Sequence, residues 1–232
     1  MSSLSLQAQE QEVLRWGGVA GMLGSVVFII VFVIVGVFVA ASATSQELAL
    51  INFPDLFVAR IFENGLYLLV LILWSVHFAA LFYALRDAHL APALFGSLLG
   101  ILGLVVMAAG TLPHVATVPV SAFYEAASAD PAQQEMLIMM WRAVYGMFEA
   151  LLIAGFVMVP FGLLGIGMAM RQSPAFSRGL SWASIAFGVL GLVAACVSLV
   201  MPHSPIAVIS VFGMIIFHFL AGRRIFTLSR AT

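Results

Sequence analysis

The apolar stretch from Met136 to Met170 is the feature of this sequence that most constrains the fold. It carries Arg142 and Glu149 in its first half and Pro160 near its middle, and Arg171 ends it. Because a transmembrane helix needs about 20 predominantly apolar residues, this stretch predicts a helix that crosses a membrane.

The composition of the whole chain agrees with that prediction. Hydrophobic residues make up 63% of the 232 residues and charged residues only 8%, and the mean hydropathy is +1.16. Soluble domains carry about a quarter charged residues. We therefore expect an integral membrane protein without a soluble domain.

Five further stretches repeat the same design, which predicts one all-α domain over residues 1–232, a six-transmembrane-helix bundle. The predicted spans are 17–41, 62–85, 93–112, 136–170, 180–201 and 206–222. The first is much longer than the 7–15 apolar residues typical of a signal-peptide core, so we expect an uncleaved span. Pro113 and His114 are expected to end the third span, followed by a polar loop from Val115 to Ala129.

Small residues recur at helical spacing in two of these spans. Gly17, Gly21 and Gly24 lie three and four residues apart in the first span, and Gly96 and Gly100 begin a similar series in the third. Small residues let helix backbones approach closely in membranes. The sequence therefore predicts close helix contacts on these two faces.

The arginines indicate the orientation. With six spans, seven of the nine arginines fall on one side of the membrane, namely Arg15, Arg86, Arg171, Arg178, Arg223, Arg224 and Arg230. By the positive-inside rule we expect both termini in the cytoplasm and a multi-pass protein of a bacterial inner membrane. Since topology explains these arginines, nucleic acid is not an expected partner. The lipid bilayer is, and other membrane subunits or further copies of the chain are open alternatives.

The chain also carries a pattern typical of an internal repeat. Spans 2 and 3 show Glu63, Arg86, Pro92 and Pro113-His114 in order, and spans 4 and 5 show Glu149, Arg171, Pro174 and Pro202-His203. Two units running in the same direction predict a parallel repeat, as in some transporters. The alternative is accidental similarity between apolar segments.

Charged residues near the start of spans 2 and 4 are the first candidate site. Arg60 precedes Glu63 by three residues and Arg142 precedes Glu149 by seven, so each pair shares a helix face. The two acids lie 23 and 22 residues before the arginines that end their spans, about 33 to 35 Å at the helical rise. This is about one hydrocarbon thickness. We expect structural ion pairs that link helix 2 to helix 4 at the outer rim, with a ligand or proton entry site as the alternative.

The histidines are the second candidate site. His77 lies close to the middle of span 2 and His218 lies in the inner half of span 6, and two histidines on facing helices are the minimum for bis-imidazole haem binding. The alternative for His77 is a neutral ring hydrogen-bonded to a neighbouring helix. His114 and His203, at the predicted outer ends of spans 3 and 5, are a candidate pair of metal ligands. No cofactor is firmly implied.

Pro160 is a candidate hinge. Proline removes a backbone donor and kinks a helix, and Gly155, Gly162 and Gly165 surround this one. The alternative is that the kink accommodates an apolar stretch longer than the bilayer is thick.

Span 1 opens with Arg15-Trp-Gly-Gly-Val-Ala-Gly, Arg and Glu stand at the start of spans 2 and 4, Arg171, Pro174 and Ser181-Trp182 lie between spans 4 and 5, and basic residues follow the last span. These short motifs resemble those of a bacterial family of six-helix membrane proteins that is catalogued only as a domain of unknown function. The acid-bearing motif that this family usually has in its last span is absent. The resemblance implies a six-helix fold and no activity.

These observations favour a non-enzymatic membrane protein: a scaffold, an accessory subunit, or a binder of an apolar, lipid-like ligand. One alternative is a transporter of small molecules or ions that uses the repeat and Pro160. The other is a redox protein that uses the histidines.

Overall fold

The computed structural model describes residues 3–39, 50–127, 130–201 and 206–230, and within these ranges the chain is helical apart from short connections and contains no strand. The helices are α1 (Ser3–Ile34), α2 (Phe53–Leu85), α3 (Leu90–Ala126), α4 (Pro131–Gln172), α5 (Arg178–Val200) and α6 (Ile206–Leu228). A π-helical segment, Val35–Val39, continues α1. All six helices contain a segment long and apolar enough to cross a membrane. This confirms the predicted all-α, six-helix membrane architecture.

Helix α3 differs from the prediction. We expected the third span to end at Leu112 and a loop to follow from Val115, but α3 continues to Ala126 with Pro113 and Pro119 inside it. Tertiary packing explains the difference, because it overrides local propensity when a helix face is buried. Val120 and Ser121, which directly follow Pro119, are buried. The predicted loop is therefore mostly helix.

The long helices α3 and α4 reach past the bilayer. With 37 and 42 residues, they are about 55 and 63 Å long at 1.5 Å per residue, whereas the hydrocarbon core is about 30 Å thick. Their surplus length is stabilised by a small hydrophobic cluster, which we call the distal core and which comprises Leu50, Phe53, Val120, Ala127, Leu137 and Trp141. The bundle therefore has a helical projection at one end.

Seven of the nine arginines lie toward the opposite end, which we call the arginine-rich end. Arg86 contacts Glu10 of α1 at 3.2 Å, and Arg224 Nε donates to the Ala175 carbonyl at 2.6 Å. These contacts bring together the start of α1, the end of α2, the α4–α5 connection and the end of α6. The other end, with the distal core, is called the distal end below.

The helices form a closed ring in which each packs on its neighbours along the chain and α6 packs on α1. The helices approach each other most closely at glycines. A Cβ on Gly96 would lie 2.7 Å from the Ile166 nitrogen, and one on Gly162 would lie 2.7 Å from the Gly100 nitrogen. In α1, a Cβ on Gly21 would lie 2.6 Å from His77 Nδ1. The predicted small-residue faces of spans 1 and 3 are thus confirmed as helix contacts.

Buried hydroxyls add hydrogen bonds between helices. Ser181 and Ser184 of α5 donate to the Gly167 and Leu163 carbonyls of α4, both at 2.8 Å. Ser25 of α1 donates to the Ile215 carbonyl of α6 at 3.0 Å. Such bonds stabilise helix pairs in membranes, where apolar contact alone gives little preference for one partner over another.

Candidate functional site

A partly open cavity of about 180 Å³ is bounded by side chains of α1, α2, α3, α4 and α6. Its walls are mainly aromatic and aliphatic: Phe28, Val31, Phe32, Met107, Phe156 and Val211. Val35, the first residue of the π-helical segment, also lines it. π-helical turns are frequent at functional sites. The cavity is thus an apolar space at membrane depth.

Four polar residues line the same cavity: Glu63, Asn64, Tyr67 and His114. The carboxylate of Glu63 accepts a hydrogen bond from Arg60 Nη1 at 3.0 Å, and these two side chains are only 14% and 13% exposed. Glu63 lies 23 residues before Arg86, about 35 Å at the helical rise. The polar group therefore lies near the distal boundary of the bilayer, and the apolar walls extend from there into the membrane.

His114 is held at this polar end by Asn64. Its Nδ1 is 2.8 Å from Asn64 Oδ1, and its ring stacks on Phe148 with 4.9 Å between the centroids. The prediction placed His114 at the end of a span, but it is a buried residue within helix α3. His203, its predicted partner in a metal site, lies outside the described residues. Within the described ranges, no group of three or more His, Cys, Asp or Glu side chains is arranged to hold a metal ion.

Tyr67 is the fourth polar residue of the site. Its hydroxyl is buried and has no hydrogen-bond partner among the described residues. The ring lies 5.8 Å from that of Phe28, centroid to centroid. A buried polar group without a partner costs about 1–3 kcal/mol, so Tyr67 carries an unsatisfied hydroxyl beside the cavity.

His77 and His218 form a separate cluster nearer the arginine-rich end. Both are completely buried, and their ring centroids are 5.1 Å apart. His77 Nδ1 is 2.9 Å from the Gly17 carbonyl. Because a carbonyl only accepts, this nitrogen carries the proton. A neutral His77 ring hydrogen-bonded to a neighbouring helix is the predicted alternative to a cofactor role.

The aromatic packing around His218 bears on haem binding. Its ring stacks on that of Trp74 with 4.2 Å between the centroids, and it meets the rings of Phe78 and Phe217 at steep angles with centroid distances of 5.1 and 5.2 Å. Bis-imidazole binding requires a porphyrin between the two histidines, and these rings pack directly on each other. The residues present do not fit a haem in this arrangement.

The predicted ion-pair link between helices 2 and 4 is not formed. Arg60 and Glu63 pair within α2, whereas Arg142 is exposed and Glu149 half-buried, and neither forms an ion pair with a described residue. The reason is the packing of α4, which buries the adjacent residue Trp141 and turns Arg142 outward.

Pro160 lies inside α4, which remains helical on both sides of it. It is buried against α5, where a Cβ on Gly191 would lie 2.5 Å from the Pro160 ring. The two glycines of α5 at positions 188 and 191 thus accommodate the proline. Its role as a hinge stays a prediction.

Asn64 is a site residue that the sequence analysis did not select. The spacing of polar residues could have indicated it. One polar face of a helix is formed by residues at i, i+3, i+4 and i+7, which here are Arg60, Glu63, Asn64 and Tyr67. Phe148, the stacking partner of His114, carried no comparable signal.

Comparison of the chain with protein-family models, with curated proteins and with solved structures found no match.

Proposed function

We propose that this protein is a membrane-embedded binder of an apolar, lipid-like ligand, and that the cavity between α1, α2, α3, α4 and α6 is the binding site. The single observation that carries the proposal is the separation of apolar and polar residues on the walls of the cavity. Its walls are aromatic and aliphatic, whereas its polar residues are grouped together: Glu63, Asn64 and Tyr67 lie within five consecutive residues of α2, and His114 donates to Asn64. Binding sites for small molecules share this design, in which apolar walls supply affinity and a few polar groups supply orientation.

The size of the cavity fits part of a lipid-like molecule. An engineered apolar cavity of about 150 Å³ in another protein binds benzene, so about 180 Å³ accommodates one ring or a short length of chain. The remainder of a longer ligand would extend toward the bilayer. A ligand that partitions into the membrane reaches such a site from the lipid phase.

We also infer that the protein resides in a bacterial inner membrane with both termini in the cytoplasm. The seven arginines at the arginine-rich end support this orientation through the positive-inside rule. Membership of the six-helix family of unknown function is part of the same proposal. A non-enzymatic accessory subunit would fit a ligand-binding role in such a membrane.

The binding proposal is tested with a simple apolar probe. Purified protein in lipid nanodiscs is incubated with radiolabelled octylbenzene, and the retained probe is compared with that of empty nanodiscs of the same lipid. We expect saturable binding of one probe per protein. Leu152→Trp, which fills the cavity, should abolish it. Leu190→Trp, a matched change on an exposed surface of α5, should not. Binding that never saturates, or that Leu152→Trp leaves intact, would refute the proposal.

A further inference from the structure

We propose that the ligand of this cavity carries a neutral hydroxyl group at its head, as a long-chain phenol or alcohol does, which donates to His114 Nε2 and accepts from the Tyr67 hydroxyl. This inference rests on the proposed function and specifies the chemical class of the ligand. It is carried by the hydrogen-bonding pattern at the polar end of the cavity.

The hydrogen bonds of Asn64 fix the position of the proton on His114. Asn64 Nδ2 is 2.8 Å from the Arg60 carbonyl, which only accepts, so the amide orientation of Asn64 follows. Asn64 Oδ1 then faces His114 Nδ1 at 2.8 Å, and an amide oxygen also only accepts. His114 Nδ1 therefore carries the proton, and in the uncharged ring Nε2 is an acceptor.

The Tyr67 hydroxyl is the complementary donor. Tyr67 lines the same cavity as His114, and its buried hydroxyl has no partner among the residues described. Burying a donor without a partner is costly. The polar end thus offers one free acceptor and one free donor, and a hydroxyl is a small group that both donates and accepts.

The Arg60–Glu63 pair bears on the charge of the ligand head group. Glu63 lines the cavity, but its charge is balanced by Arg60 at 3.0 Å. An anionic head group would meet the Glu63 carboxylate, and a cationic one would compete with Arg60 for it. Because charges are expensive at membrane depth, the balanced pair favours an uncharged head.

The aromatic lining of the cavity favours a ligand whose head is a ring. Phe28, Phe32, Phe148 and Phe156 all line the cavity, and aromatic rings pack favourably face to edge or in offset stacks. A ring that bears the hydroxyl fills the space near Tyr67 and His114, so phenols are expected to bind better than aliphatic alcohols of equal length.

The test uses matched probes and the complete protein in nanodiscs. Binding of 4-octylphenol is compared with that of its methyl ether, 4-octylanisole, and of octylbenzene, each corrected for partition into empty nanodiscs. We expect the phenol to bind about tenfold more tightly than the ether, equivalent to about 1.4 kcal/mol. Decanol and its methyl ether form a second pair, which distinguishes an aliphatic from a phenolic source of the hydroxyl.

Two variants assign the preference to the proposed residues. Tyr67→Phe removes only the hydroxyl, and His114→Phe removes the acceptor. Each should bring the phenol and its ether to within about threefold while octylbenzene still binds, which also shows that the variant has folded. His89→Phe, a matched change at the arginine-rich end away from the cavity, should keep the full preference.

The outcomes separate the two proposals. If octylbenzene and both ethers bind but neither the phenol nor the alcohol is preferred over its ether, the hydroxyl inference is wrong and the proposed function stands. If the preference survives both Tyr67→Phe and His114→Phe, the inference is also wrong. If none of the probes binds specifically, the proposed function fails and the inference falls with it.

Discussion

His114 Nδ1 donates to Asn64 Oδ1 across 2.8 Å and joins α3 to α2 at the polar end of the cavity. The two residues are 50 positions apart in the chain. Asn64 in turn donates to the Arg60 carbonyl one helical turn earlier. This relay orients the imidazole and leaves one ring nitrogen free.

Removing Asn64 should therefore weaken the contact between α2 and α3. Interhelical hydrogen bonds in membrane proteins average about 0.6 kcal/mol, with a maximum of about 1.7, and we expect Asn64→Leu to lower the free energy of unfolding within that range. Thermal unfolding in detergent, followed by circular dichroism, measures the change. Gln133→Leu on an exposed position of α4 is the control. Equal effects of the two changes would contradict the structural role of Asn64.

The Arg60–Glu63 pair should behave as a unit. Its side chains are 13% and 14% exposed, so Arg60→Gln leaves a poorly solvated carboxylate without its partner. Breaking a fully buried pair costs about 3–5 kcal/mol, and partial exposure should reduce that cost. The double variant Arg60→Gln with Glu63→Gln should recover much of the loss.

A double-mutant cycle on unfolding free energies measures this coupling. Additive effects of the two changes would show that the pair contributes nothing as a pair.

The α3–α4 contact should be intolerant of even one methyl group. In Gly162→Ala the new Cβ would lie 2.7 Å from both the Gly100 nitrogen and the Gly96 carbonyl oxygen, and backbone atoms cannot move aside cheaply. Overpacking of this kind typically costs about 1–3 kcal/mol.

Gly146→Ala on the same helix is a matched control, because nothing lies within 4 Å of its Cβ. Alanine is the better helix former by up to about 1 kcal/mol, so this change should leave stability equal or higher. The two variants are compared by thermal unfolding in the same detergent. A Gly162→Ala protein as stable as Gly146→Ala would disprove the close contact.

His218 should be replaceable by phenylalanine with little loss of stability. Its two ring nitrogens are buried and have no hydrogen-bond partner among the residues described, and replacing such polar groups by apolar ones of similar shape is nearly neutral or stabilising. Unfolding temperature and the visible absorption spectrum of the purified protein are the measurements.

The same experiment tests the haem hypothesis. A Soret band in the native protein that disappears in His218→Phe would favour haem binding by this histidine over the packing seen here.

Hydropathy predicted the six helices, because apolar length is a local property of the sequence. It failed at α3, where two prolines and a polar segment indicated a loop. The residues after Pro119 are helical since Val120 packs with Leu137 and Trp141 in the distal core. That cluster joins segments that are distant in the sequence.

The candidate site was predictable in part. Arg60 and Glu63 pair within one turn of α2, and their spacing alone indicated it. The pairing of His114 with Asn64 depends on which faces of α2 and α3 meet, and the exposure of Arg142 depends on how α4 packs beside α3.

The sequence by itself determined that this chain forms six membrane-spanning helices, because in a bilayer every backbone polar group must be satisfied within its own segment. The tertiary structure alone decided where the cavity lies and which polar groups share it. In a membrane, apolar surface is equally satisfied by lipid and by protein, so hydropathy says little about which helix faces meet. Glycine contacts, buried hydroxyls and the Asn64–His114 bond make that choice, and they act between residues that only the fold brings together.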